Sequence, residues 1–256
     1  MEHPIFQKIE DSNKPDFGDM FSKSFELFKK VWEQALYHVL VTMVAVVPMI
    51  ILIYIPYIMF ALYMAENDGY GHYQQPDIAF FAPVLILYGF VVFIVIFISQ
   101  AIVLGITAHF LKVLQKEDTG KPENVGGYFD LIKGNYKKLF LLALASFGIA
   151  LLAILLCYLP IFYVMVPLQL LVLFFAFNPE LSVSEIVKAS FKLGNKYWLI
   201  IFGLTFISSL IAQIGILLCI VGVFFTAYFV HVPMYFLYKD TIGFDSDSDE
   251  NSLLIS

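Results

Sequence analysis

The chain has 256 residues, of which 60% are hydrophobic, 17% aromatic and only 14% charged. Soluble domains sit near ~45–50% apolar and ~25% charged, so this composition excludes a water-soluble domain and makes the lipid bilayer the expected solvent. The net charge is −6 and all 15 basic residues are lysine; without guanidinium forks for bidentate phosphate and base-edge recognition, no nucleic-acid partner is expected.

Residues 1–15 read as a flexible start. They lack the apolar core and small-residue cleavage site of a secretory signal, so no cleaved leader is expected. His3, Glu10 and Asp11 stand isolated, without metal-ligand spacing. From Asp16 the pattern is helical: Phe17, Met20, Phe21, Phe25, Phe28, Val31 and Trp32 share one face, and Asp19, Ser22, Lys23, Glu26 and Lys30 the other. Such a helix is expected to lie in the membrane interface, aromatic face toward the acyl chains, with the chain turning to cross after Trp32.

The window 34–65 is 32 residues long and carries no formal charge, enough for one span of roughly 20 residues. Gln34, His38 and Thr42 lie at i, i+4 and i+8 on one face of it. The loop 66–77 has Glu66, Asp68 and Asp77 and no lysine, and its His72 beside Asp68 is again isolated. Window 78–111 gives a second span, with Gln100 inside it and His109 beside Lys112 at its end. Six lysines follow at 112–138, placing that side in the cytoplasm by the lysine bias of short loops. Windows 139–179 and 197–238 are each long enough for two passes, with turns expected at Pro160 and at 215–222. Neither turn holds a charge, so both hairpins are candidates for re-entrant segments packed inside the protein.

The segments 16–32, 124–140 and 182–198 superpose without a gap. Asp16, Asn124 and Ser182 open them as expected N-caps, and Glu185 completes a capping box in the third. Phe28, Tyr136 and Gly194 correspond, as do Lys30, Lys138 and Lys196, and Trp32, Phe140 and Trp198 close each copy. The expected fold is therefore all-α: a polytopic membrane protein with six membrane-embedded helices and three interfacial amphipathic ones, in a degenerate threefold repeat. Its units are 16–111, 124–177 and 182–239 within one domain over 16–240, followed by a disordered acidic tail at 241–256. Both termini are expected to be cytoplasmic.

The stretches "NPELSVSEIVKASFKLGNKYWLIIFGLTF" at 178–206, "IGILLCIVGVFFTAYFVHVPMYFLYKD" at 214–240 and "FDLIKGNYKKLF" at 129–140 resemble a group of bacterial six-helix membrane proteins that includes the YciC-like family and the membrane domain of some glycerophosphoryl diester phosphodiesterases. The resemblance implies the bacterial cytoplasmic membrane and the same helical fold. It implies no phosphodiesterase activity, because the residues after Lys239 do not hold a soluble catalytic domain.

No Asp, Glu or Lys falls at the centre of a predicted span. Gln34, His38, Thr42, Gln100, Gln169 and Gln213 form the intramembrane polar set, near Thr205, Ser208 and Ser209, and are expected to bridge helices. His109 and His231 are expected at the interface, Cys157 and Cys219 in the packing, and Pro48, Pro56, Pro83 and Pro167 at kinks or breaks. Lys30, Trp32, Lys138, Phe140, Lys196 and Trp198 are expected to anchor the interface. The chain contains no HExxH, GxSxG, phosphate-binding glycine loop or paired-cysteine motif. The first expectation is thus a non-enzymatic scaffold or accessory subunit, without cofactor, whose partners are membrane lipids and another membrane protein. The second is a small transporter or channel for a lipid-like substrate, which requires a cavity beside Gln100, Gln169 or Gln213; a lipid-modifying enzyme comes third.

Overall fold

The structure, a computed structural model, describes residues 3–67, 78–121, 124–156, 159–217 and 222–244. Every regular element among them is helical. In chain order these are α1 (Pro4–Asp11), α2 (Phe17–Asn67), α3 (Ile78–Thr119), α4 (Asp130–Leu155), α5 (Leu159–Phe177), α6 (Val183–Lys196), α7 (Trp198–Leu217), α8 (Gly222–Thr226), a 3-10 turn (Ala227–Val230) and α9 (His231–Thr241). Four helices, α2 to α5, are long and apolar enough to cross a membrane, and α6 with α7, bent by 92°, is a fifth if the pair counts as one span. Cys157, Cys219, His72 and Asp68 lie outside the described residues, as does the tail beyond Phe244.

The three superposable segments fold differently. In the first, α2 runs on through Trp32 as one 51-residue helix, so the expected turn after Trp32 does not occur. The second is kinked at Asn135 (φ −134°, ψ 21°), and the third breaks at Tyr197. Gly134-Asn135 and Gly194-Asn195 weaken the helix at the latter two, whereas the matching residues of the first, Glu26-Leu27 and Phe28-Lys29, continue it. The caps differ too. The Asp16 carboxylate accepts from the Asp19 amide at 2.8 Å, and Ser182 with Glu185 makes the full capping box. The Asn124 side chain caps no helix: it accepts from the Gly126 amide at 3.0 Å in a turn, because Gly126 at φ 75° diverts the chain and α4 starts only at Asp130.

Much of the apolar face of the first and third amphipathic segments packs on protein, although Phe25 and Trp32 remain exposed. Met20, Leu27 and Val31 are buried, and Phe21, Phe25 and Phe28 close around Phe229 with ring centroids 5.0–6.1 Å away. The α6 face of Ile186, Ala189, Leu193 and Gly194 is buried against α5. Gly194 is required there, since a Cβ would sit 3.0 Å from the Pro167 Cα. At the centre lies α9, whose residues 232–238 are all buried among α2, α3, α5 and α7, as an all-round apolar helix should be. Phe244 packs on Phe177 at 5.0 Å, so the ordered chain reaches past the expected start of the tail at 241.

Two further expectations are revised. The N-terminal segment carries α1, with Ile5 and Ile9 buried on α6. The Lys196 ammonium donates to the carbonyls of Ile9, Glu10 and Ser12 at 2.6–2.8 Å, closing the C-terminal end of α1. The prolines at 48, 56, 83 and 167 do not end their helices. Each proline frees the carbonyl four residues earlier, and in two cases the donor that replaces the lost amide is visible. The Leu52 carbonyl, freed by Pro56, accepts from the Tyr88 hydroxyl; the Tyr163 carbonyl, freed by Pro167, accepts from Trp198 Nε1 at 3.1 Å.

Exposure divides the molecule in two. A compact half holds α1, the start of α2, the end of α3, most of α5, α6 and α9. The other half shows bare apolar helix: Val44, Tyr57 and Ile86 are at least 70% exposed, on the distal parts of α2 and α3, and Leu152, Leu155 and Leu159 project at the α4–α5 turn.

Candidate functional site

A cavity of about 640 Å³ lies where these halves meet, bounded by α3, α4, α5, α7 and α9. Its walls are apolar, including Phe97, Leu104, Phe147, Met165 and Met234. Into them project Gln100 and Thr107 from α3, Ser146 from α4, Gln169 from α5, Thr205 and Ser209 from α7 and His231 from α9. No lysine, aspartate or glutamate lines it. The Thr205 hydroxyl donates to Gln169 Oε1 at 2.9 Å, tying α7 to α5 across the floor, and the Ser146 hydroxyl is committed to the Leu142 carbonyl of its own helix. An apolar chamber with a few converging neutral polar groups suits an amphiphile, and its volume falls in the usual range for small-molecule sites, about 300–1,000 Å³.

Beside the cavity stands a buried histidine–tyrosine cluster. His38 on α2 and His109 on α3 meet Nε2 to Nδ1 at 2.8 Å, and His38 Nδ1 donates to the Gln34 carbonyl at 2.6 Å. His109 Nε2 reaches the Gly126 carbonyl at 3.3 Å. The Tyr128 ring packs on both, with centroids 4.8 and 4.9 Å away. The Thr42 and Tyr228 hydroxyls are 2.7 Å apart, and Tyr228 packs 5.2 Å from the cavity-lining His231. Cluster and cavity therefore share a wall.

Of the six predicted polar positions, Gln100 and Gln169 reach the cavity and His38 and Thr42 the cluster. Gln34 is exposed, offering only its backbone carbonyl, and Gln213 is exposed outside both. His109, expected at the interface, is buried, because its partner 71 residues away turns it inward. His231, likewise expected at the interface, faces the cavity. Ser208 is buried with no partner among the described residues. Thr107 was legible but missed: Gln100, Val103 and Thr107 lie at i, i+3 and i+7, a polar-edged helical face. Tyr228 carried no such signal, since it lies in a 3-10 turn.

The expected interfacial anchors take varied places. Lys196 and Trp198 hold backbone carbonyls as described, and Lys138 donates to the Pro179 carbonyl at 2.9 Å. Trp32 lies 5.8 Å from Phe225 and Phe140 6.2 Å from Phe97, each partly exposed; Lys30 is exposed. His3 caps α1, accepting from the Ile5 amide at 3.3 Å, and Glu10 pairs with Lys192 at 2.5 Å.

No protein-family model, curated protein or solved structure matches the chain. Four of its helices are long and apolar enough to cross a membrane, and its function is read from the geometry of the cavity and the cluster.

Proposed function

We propose that this is a small non-enzymatic membrane carrier for a lipid-like substrate, which it admits into the chamber between α3, α4, α5 and α7. The observation that carries this reading is the cavity lined by Gln100 and Gln169, at the level where lipid-facing helix gives way to buried core. Neutral hydrogen-bonding groups in apolar walls favour a substrate with a carbonyl or hydroxyl head and a hydrocarbon tail, and disfavour an ionised headgroup, whose burial without a counter-charge is costly. A scaffold or accessory role, the first expectation from sequence, is the second reading; the bare α2–α3 hairpin supports it, as a surface for a membrane-protein partner.

The same reading includes an architecture. The apolar stretches 43–65 of α2 and 78–98 of α3 are each about 31–35 Å long at 1.5 Å per residue, close to a hydrocarbon core of about 30 Å. These two helices cross fully in this proposal. The α4–α5 and α7–α8 hairpins enter part-way, giving six membrane-embedded helices. Gly215 and Gly222 touch closely enough to close the second hairpin, a Cβ on Gly215 falling 2.5 Å from the Gly222 carbonyl carbon. Both termini then share the lysine-bearing, cytoplasmic side: α1 joins α6, and Lys239 at the end of α9 pairs with Asp118 at the end of α3 at 2.5 Å. The likeness to the YciC-like group, and with it the bacterial cytoplasmic membrane, belongs to this proposal.

Photoactivatable lipid analogues in reconstituted vesicles test the carrier reading. A neutral diacylglycerol analogue is expected to label 96–107 and 143–150, and a Gln169→Leu, Thr205→Val variant to lose that labelling. Labelling confined to 43–62, equal for neutral and anionic analogues, would reject it.

A further inference from the structure

We infer that His38 and His109 together form a binding site for a single proton, and that the bound proton clasps the 124–129 segment onto α2 and α3. The inference follows from counting hydrogens along one chain of contacts. It runs from the Gln34 carbonyl to His38 Nδ1, from His38 Nε2 to His109 Nδ1, and from His109 Nε2 to the Gly126 carbonyl. Both ends are carbonyl oxygens, which only accept. The two terminal nitrogens must each carry hydrogen, and the central gap needs one more. That makes three hydrogens for two rings, whereas two neutral imidazoles supply two.

With one ring protonated the chain is complete. With both neutral, one gap has two lone pairs facing each other, and the longest contact, 3.3 Å at Gly126, is the one that opens. The proton comes from the aqueous phase beside the exposed Gly126–Gly127 turn and adds to the His109 Nε2 lone pair; no other bond breaks. What it fastens is specific: Gly126 adjoins Gly127, whose amide donates to Asp130 Oδ2 at 2.6 Å, and Tyr128 covers both rings.

The groups facing the pair are known from every packed element. Asp130 at the start of α4 and the Tyr128 ring favour a cation, while His231 from α9 opposes one. Tyr37 lies beside Tyr128, and Tyr228 lies over His38. Burial also opposes the charge, and the three completed hydrogen bonds offset that cost. The site does not depend on what occupies the neighbouring cavity, although Tyr228 packs on both His38 and the cavity-lining His231.

The test is nitrogen-15 NMR of the full chain, labelled at histidine and reconstituted in neutral lipid, from about pH 4 to about pH 9. The expected result is that His38 and His109 gain one proton between them in a shared step. His109 Nε2 then changes from bare to protonated, and the amides of Gly126 and Gly127 exchange about tenfold faster once the proton is lost. His109→Gln assigns the signals, and His231→Phe should leave the step in place. Two separate full protonations, or a His109 Nε2 that stays bare throughout with amide exchange beyond the intrinsic pH trend unchanged, would overturn it. The exchange measurement needs no variant, so a failure of His109→Gln to fold leaves the inference testable.

Discussion

At the scale of single residues, the informative side chains here are those that repair what the sequence takes away. Pro167 removes an amide from α5, and Trp198, thirty-one residues on, returns a donor to the stranded Tyr163 carbonyl at 3.1 Å. Trp198→Phe is expected to destabilise the protein by about 1 kcal/mol, the usual net contribution of a hydrogen bond. Pro167→Ala restores the backbone donor, so the double variant should recover part of that loss. Denaturant unfolding of the four proteins in detergent measures the coupling; strict additivity would show that Trp198 acts only by packing. Sequence placed Trp198 at the close of an amphipathic segment as an interfacial anchor; its bond to a carbonyl freed by proline is invisible without the fold. His38 and His109 illustrate the same limit: His38 was legible as an intramembrane polar residue and His109 as an interfacial one, but their meeting across 71 positions was not legible.

At the scale of elements, helix identity was written in the sequence and helix company was not. The periodicity of 16–32 predicts an amphipathic helix, and 17–32 is helical as the start of α2; of the segments superposed on it, 183–196 forms α6 whereas α4 begins only at Asp130. Their apolar faces were expected in lipid because nothing in a periodic pattern distinguishes an acyl chain from Phe229 or from α5 as the covering surface. The Gly-Asn pairs at 134–135 and 194–195 marked where α4 bends and α6 ends, and the lack of one in the first segment accounts for its straight run. α1 offers a test. Lys196→Gln removes the donor to three carbonyls at its end, and faster amide exchange over 4–11 is expected while the bundle core stays protected. The attachment also depends on acidity. The Lys192 ammonium, by hydrogen bond and charge, holds the Glu10 carboxyl below its ordinary 4.5. A carboxyl lowered in the folded state stabilises above its ordinary value and loses that contribution as pH falls through the lowered one. Protease cleavage within α1 should therefore rise on acidification below about pH 4.5, and Lys192→Met should remove that dependence.

At the scale of the whole molecule, composition settled the class and apolar length suggested the passes, but depth required the exposure pattern. Uncharged windows of 34 and 41 residues look alike, yet Val44, Tyr57 and Ile86 on α2 and α3 are at least 70% exposed while α5 is buried from 170 to 176. Single cysteines in a background lacking Cys157 and Cys219 check the proposed depths. An impermeant maleimide added outside is expected to label positions in the 66–77 loop and to spare Leu156 and Leu159; labelling of all three would make α4 and α5 full spans. The most direct measurement is native mass spectrometry of the protein released gently from its own membrane, compared with the Gln169→Leu, Thr205→Val variant. A carrier built around this chamber predicts one uncharged lipid retained per chain and lost in the variant. Retention of a stoichiometric protein partner with no lipid, or of bulk anionic phospholipid equally by both proteins, would contradict it.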